Sequence, residues 1–366
     1  CWRHEFLFHL IMTLGATSGY GNSMKAPSTK MIWVLQGARA GDNAQARELA
    51  MRLDAQVVRK DLTFNRMHVL PNWALGATTA TLQDGSRKNL EAPWPDMVIA
   101  TGKRMAPVAR WIKQQSGGRS KIVMLGRPRA RLSAFDLVIS TPQYDLPLDA
   151  NIVEVPLPFA ASTKADSAEQ KAWQKQWRHL PKPLVGVMLG NGKYPLVFGS
   201  VEIRGLTEKL NKLEPVSLLL IASPRTAEGV VARIAAGLTV PHAAYARFDR
   251  NNNPYRAAIA MCDRFVVTSD SISMISELIN SGKPVDVFKL GAAKIQLKWS
   301  GKQGLGAWLA RPGLLQPPRD VSAMVDSLIK RRLIGELGAL GAPTELEPHG
   351  RDDQQIMQRL ALLIET

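Results

Sequence analysis

Residues 264–277 read RFVVTSDSISMISE, and the fold follows from them. Phe265, Val266, Val267 and Thr268 form a short β-branched and aromatic run, the composition of a buried strand. It empties into Ser269, Asp270, Ser271 and Ser273, residues that begin helices. The apolar positions that follow recur with helical spacing as far as Asn280, and Gly282 ends them. A further expected strand, Val285–Phe288, comes directly after. Strand, helix and strand in such close succession make the crossover unit of a parallel sheet.

The same grammar extends in both directions. Upstream in this half lie expected strands at Leu184–Leu189, Ser217–Ile221 and Ala244–Phe248, with helices at Ser200–Leu213, Ala227–Gly237 and Pro254–Met261. The first half carries its own set: strands Met31–Gly37, Gln56–Leu62, Asp96–Thr101, Lys121–Leu125, Phe135–Ser140 and Ile152–Val155, with helices Asp42–Leu53 and Arg104–Gln115. Prolines 142, 147, 156, 158, 181 and 183 punctuate the middle around a polar helix, Lys164–Trp177. The expected organisation is an extension at 1–30, a first α/β domain at 31–160, and a connecting helix at 161–182. A second α/β domain at 183–345 and a terminal helix at 346–366 complete it.

The start of the chain is expected to lie outside the fold. Phe6–Ala16 is apolar enough for a signal-peptide core but poor in flanking positive charge, and Met12, Met24 and Met31 are all plausible starts. With 366 residues and 45% hydrophobic content, two globular domains are the natural reading, and no run is long enough for a spanning helix. Cys1 and Cys262 are the only cysteines, which excludes a disulfide framework and suits a reducing, cytoplasmic compartment. Forty-seven Lys and Arg against 31 Asp and Glu give a net charge of +16, a field that favours anionic partners.

Ligands of open parallel sheets bind beyond the carboxyl ends of the strands, so the residues after each strand carry the chemistry. In the first half, Gly37 and Gly41 frame a loop leading to Asp42. That loop reads either as an anion-facing turn or as a plain turn with an Asp cap. Lys103 and Arg104 follow the next such strand, and from Lys103 to Arg131 nine basic residues, Arg110 and Lys113 among them, occur without an acid. Such a run suits an anionic or membrane-facing surface.

In the second half, Gly190 and Lys193 allow close backbone approach and charge neutralisation. Ser223, Arg225 and Thr226 suit a diphosphate, although Thr226 reads equally as a helix cap. The strongest group is Ser269, Asp270, Ser271, Ser273 and Glu277. Hydroxyls at a helix start supply donors to phosphate, and a carboxylate one turn deeper can accept from ribose hydroxyls.

Several classes are excluded by pattern. The six histidines show no metal-ligand spacing, and no nucleophile elbow, dinucleotide fingerprint, Walker A loop or Tyr-x-x-x-Lys pair occurs. No nucleic-acid module is present.

These residues resemble the bacterial and plant family named for the elongated-mitochondria fission factor. The matching elements are the Gly37–Gln45 loop, Pro95–Gly102, Gly126–Pro128, Phe135–Val138, Asn151, Ser223–Thr226, Asn253–Tyr255 and Val267–Glu277 through Val285. They run in order over roughly residues 31–290. The family's Ser-Arg-Arg-Thr stands here as Ser223-Pro224-Arg225-Thr226, and its His-Asp pair as Tyr144-Asp145. More distantly, Cys262–Pro284 resembles the nucleotide-sugar segment of GT-B glycosyltransferases.

The resemblance implies two Rossmann-like domains with parallel sheets facing a cleft. It also implies metal-independent transfer of a sugar from a nucleotide-sugar donor to an anionic lipid or glycan acceptor, with peripheral membrane contact and no cofactor. Asp42 is then the candidate base. The family's fission role implies the alternative, a non-enzymatic adaptor that recruits a partner to a membrane.

Overall fold

The computed structural model describes residues 30–160, 166–192, 196–213, 215–247, 249, 252–292, 300–315, 317–339 and 350–366. Residues 1–29 of the expected extension, Lys193 and Phe248 lie outside the described residues.

The first domain runs β1 (Met31–Gln36), α1 (Ala40–Met51), β2 (Gln56–Asp61), α2 (Asn72–Leu75), α3 (Asp84–Lys88), β3 (Met97–Thr101), α4 (Ala106–Gln115), β4 (Lys121–Leu125), β5 (Leu137–Ser140) and β6 (Ile152–Glu154). Its six strands are all parallel, in the order β2-β1-β3-β4-β5-β6. The core strands read as continuous apolar runs because helices cover both faces. Along β1 the side chains alternate: Trp33 and Leu35 pack with Val108 and Ile112 of α4, whereas Ile32 and Val34 pack with Leu49 and Ala50 of α1.

After α5 (Ser167–Trp177) the second domain runs β7 (Leu184–Leu189), β8 (Leu196–Val197), α6 (Ser200–Asn211), β9 (Ser217–Ala222), α7 (Val230–Ala236), β10 (His242–Tyr245), α8 (Tyr255–Met261), β11 (Arg264–Thr268), α9 (Ile272–Ile279), β12 (Val285–Phe288) and β13 (Gly291–Ala292). It continues with α10 (Gly304–Ala310), α11 (Val321–Lys330) and β14 (Gly335–Glu336), and α12 (Gly350–Glu365) ends the chain. The parallel sheet has the order β10-β9-β7-β11-β12-β14, and β8 pairs with β13 in a separate antiparallel ribbon. Counted within its own domain, the order is 3-2-1-4-5-6, the dinucleotide-binding arrangement, while the first sheet's 2-1-3-4-5-6 is flavodoxin-like. Chain direction across each sheet reverses at one place: between β1 and β3 in the first, between β7 and β11 in the second.

The expected fold class therefore stands, with shifts in the helix starts. α1 begins at Ala40, which puts Asp42 inside the first turn instead of at the cap. Arg39 holds the cap position without a side-chain bond. α7 begins at Val230 after Gly229, so Thr226 is not its cap.

The chain after Leu290 joins the domains. Gly301 N donates to Asp145 Oδ2 at 2.9 Å, Arg311 pairs with Asp149 at 2.9 Å, and Lys302 pairs with Glu154 at 2.9 Å. Asp320 N donates to Gln143 O at 2.9 Å, which sets the start of α11 against residues 142–144 beyond β5. Arg319 donates to Gln143 Oε1 and Arg127 to Pro317 O. Both guanidinium groups lie over the Tyr144 ring, at 5.9 and 5.5 Å from its centroid. Crossover helices start at the carboxyl edge of their sheet, so this contact turns the two carboxyl edges toward each other.

α12 returns to the first domain. Ile356 and Leu360 are buried with Ile32 and Val34, and Leu363 and Ile364 flank them at the spacing of one helix face. Leu360→Ala is expected to lower unfolding stability by about 2–5 kcal/mol, measured by chemical denaturation. A loss below about 1 kcal/mol would mean that α12 is not part of that core.

Candidate functional site

At the reversal point of the second sheet, two loops are bound together through one carboxylate. Gly190 N donates to Thr268 Oγ1 at 2.8 Å, and Thr268 Oγ1 donates to Asp270 Oδ1 at 2.7 Å. Asp270 Oδ2 accepts from Asn191 N at 2.8 Å and Gly192 N at 3.2 Å. A Cβ at position 190 would stand 2.3 Å from both carboxylate oxygens, which accounts for the glycine there. Asp270, expected among the ligand-facing groups, is thus turned into the loop and holds it.

Three other expected ligands are also engaged within the protein. Ser269 Oγ accepts from Leu290 N at 3.0 Å. Thr226 Oγ1 donates to Leu189 O at 2.7 Å and accepts from Ser223 N at 2.8 Å. Ser223 Oγ lies 3.0 Å from Thr226 Oγ1 and accepts from Arg225 N at 3.3 Å. These bonds shape the edge and leave Arg225 exposed beyond β9.

The start of α9 follows directly on the loop after β11. Ser271 is buried at its head and caps none of its amides, so the first-turn N–H groups of Ile272, Ser273 and Met274 have no capping side chain. Ser273 is half-buried beside them. One turn on, Glu277 Oε2 accepts from Tyr255 Oη at 2.8 Å. Burial raises the Glu277 pKa, while the Tyr255 hydrogen bond and the charge of Arg256 oppose the rise. Burial, with Glu277 adding to it, pushes the Tyr255 hydroxyl well above its usual range, so Tyr255 stays a donor. Tyr255, part of the Asn253–Tyr255 element but given no site role from the sequence, positions Glu277. Its signal was present: Asn253 Oδ1 accepts from Tyr255 N at 3.1 Å, the local turn that the Asn-Pro-Tyr sequence encodes.

In the first domain, the Gly37 loop is closed by a reciprocal pair: Gly37 N donates to Asn43 Oδ1 at 2.9 Å, and Asn43 Nδ2 donates to Gly37 O at 2.6 Å. Thr101 Oγ1 donates to Asp42 O at 3.1 Å, which ties the end of β3 to α1 across the reversal point. Gly41 faces open space. The Asp42 side chain is 38% exposed and lies 3.8 Å from Arg39 Nη1. Burial raises its pKa, and the charges of Arg39 and Arg319 work against that. Arg319, from the second domain, thus acts on Asp42 through its charge alone. Nearby, the buried Gln36 Nε2 has no hydrogen-bond partner.

The basic run is not one surface. Lys113 pairs with Asp136 at 2.7 Å, and the same carboxylate accepts from Ile122 N, so Lys113 braces α4 against β4 instead of facing an anion. Arg127 is buried under the domain contact, where desolvation lowers its pKa to about 10. Lys103, Arg104 and Arg110 remain at the carboxyl edge or near it. Desolvation and the neighbouring Arg129 and Arg104 lower the Lys103 pKa, and desolvation with Arg131 lowers that of Arg110. Among the described residues, no cluster of His, Cys, Asp or Glu is placed to hold a metal ion. No described helix is long and apolar enough to cross a membrane.

Residues 40–303 match the model of the mitochondrial fission ELM1 family. Mitochondrial fission protein ELM1 of Arabidopsis thaliana is 31% identical over 228 residues, which cover 55% of this chain and 53% of that protein, about half its length. Among solved structures, the UDP-GlcNAc 2-epimerase of Neisseria meningitidis bound to UDP-GlcNAc is similar with TM-score 0.44 and 11% identity, over 90% of this chain and 99% of that one. A glycosyltransferase from Rickettsia africae has TM-score 0.44 and 10% identity, over 92% and 95%. The family model spans well over half of the sequence, and the protein belongs to the mitochondrial fission ELM1 family.

Proposed function

We propose that the second domain binds the diphosphate of a nucleotide sugar and that the first presents an acceptor hydroxyl to it. The observation that carries this reading is the uncapped start of α9, with Ser271 and Ser273, beside the Gly190–Gly192 loop at the sheet reversal point. Amides and hydroxyls converging there suit an anion, and the helix dipole adds to them. Arg225, beyond β9, supplies an exposed cation, and Lys193 follows the Gly190–Gly192 loop in sequence. Glu277, held by Tyr255 through one oxygen, keeps the other for ribose hydroxyls.

In the proposed transfer, Asp42 accepts the proton of the acceptor hydroxyl as that oxygen bonds to the sugar C1. The bond from C1 to the phosphate oxygen breaks, and the departing diphosphate takes the electron pair. Its charge is met by the α9 amides and Arg225, the work a metal ion does elsewhere. Burial raises the Asp42 pKa, as a general base requires.

A second reading, an adaptor without catalysis, draws on a specific observation: Ser223, Thr226, Ser269 and Asp270 are all engaged within the protein. It predicts function in cells without nucleotide-sugar binding.

Two measurements separate these readings. Titration calorimetry with a panel of nucleoside diphosphate sugars should find a binder, and Arg225→Ala and Ser271→Ala should each weaken it about tenfold. A panel without a binder, or variants with unchanged affinity, overturns the transferase reading. The second measurement concerns Glu277. Its raised pKa means the stability it contributes is full below the ordinary glutamate value and is lost as pH rises through the folded value. Glu277→Gln should therefore raise the melting temperature at neutral pH, with the gain closing as pH falls into the ordinary glutamate range. The same variant should lose nucleotide affinity. Equal gains at both pH values would show that Glu277 carries no ionisation cost.

A further inference from the structure

The exposed apolar side chains of the described residues concentrate in two short segments. Met67, Val69, Leu70 and Trp73 are 43%, 69%, 46% and 58% exposed along the connection from β2 to β3. Leu305, Trp308, Leu314 and Leu315 are 71%, 65%, 53% and 52% exposed on α10 and the turn after it. Water-soluble surfaces rarely gather this much apolar area without an occupant.

Both segments are built against the same loop, residues 127–132. Asn72 Nδ2 donates to Pro128 O at 2.8 Å and to Lys103 O at 2.7 Å, and Lys103 Nζ donates to Val69 O at 3.3 Å. On the other side, Leu132 N donates to Arg311 O at 2.8 Å, and a Cβ at Gly313 would lie 2.5 Å from the Ala130 carbonyl carbon. The loop between them exposes Arg129 and Arg131, and Arg104 is exposed at the neighbouring turn. Two tryptophan-bearing apolar segments thus bracket a group of arginines at the carboxyl edge of the first sheet, the edge that also carries Asp42.

We propose that this face docks on an anionic lipid bilayer, with Trp73 and Trp308 entering the interface and Arg104, Arg129 and Arg131 meeting the headgroups. The charge favours this occupant. Cations set among indole and alkyl groups match a surface of anionic headgroups over hydrocarbon, where tryptophan partitions to the boundary. The docking does not rest on the transferase reading.

The test is co-sedimentation of the full chain with vesicles of phosphatidylcholine alone or mixed with phosphatidylglycerol, without nucleotide. Binding to the mixed vesicles only, weakened by salt, is the expected result. Arg129→Gln and Arg131→Gln should each lower vesicle affinity about fivefold. Trp73→Ser combined with Trp308→Ser should abolish binding, whereas Val201→Ser, an exposed apolar site on α6, should leave it unchanged. These positions are on the surface, and an unchanged melting temperature confirms that each variant is folded. No binding to mixed vesicles overturns the proposal, as does binding that survives the paired tryptophan change. So does a dimer in solution that the tryptophan change dissolves, since a second copy would then be the occupant. Nucleotide affinity, measured on the same preparations, reports on the transferase reading separately.

Discussion

The Asp270 carboxylate is the constraint on which the candidate site depends. Its two oxygens draw the loop after β7 onto the loop after β11 through two backbone amides and one hydroxyl. A carboxylate satisfied by fixed donors holds its loop far more firmly than solvent would. Gly190 is bound into the arrangement because any side chain there would occupy the place of the oxygens. With Asp270 turned away, the head of α9 is left to Ser271, Ser273 and bare amides, and no acid occupies its first turn. The negative group that holds the crevice together is thus kept out of the place where an anion would sit.

The second determinant is the segment from Gly301 to Asp320. It belongs to the second domain in sequence but makes its polar contacts with Gln143, Asp145, Asp149 and Glu154 of the first. Tyr144, beneath two guanidinium groups, sits at the middle of that contact. Burial raises the Asp42 pKa, and the charge of Arg319 in this segment works against that together with Arg39. α12 adds a further tie by completing the core of the domain in which the chain began. The relation between the two halves is therefore written into packing at two places in the C-terminal part of the chain.

Much of the architecture could be read from sequence because its signals are local. The runs at 184–189, 264–268 and 285–288 are mostly apolar, as strands covered on both faces are, with their charged members Arg264 and Asp286 paired to each other, and their bounds fall where expected. The start of α9 was equally legible from its serines. What could not be read depends on partners distant in the chain. Asp270 looked like a ligand because its amide partner Asn191 lies 79 positions away. Lys113 looked like part of a free basic surface because Asp136 is 23 positions on. Thr226 resembled a cap, yet its hydroxyl is drawn to Leu189 O on the neighbouring strand, and the helix waits for Gly229. α1 begins without any capping side chain, so no cap residue announced its start.

A crystal structure of the protein with a bound nucleoside diphosphate tests the central claim most directly. The account predicts the two phosphates against the amides of 190–192 and 272–274, Arg225 folded onto them, and a ribose hydroxyl on Glu277. Phosphates bound elsewhere, or at α9 with Asp270 swung out of the Gly190 loop to meet them, would contradict it.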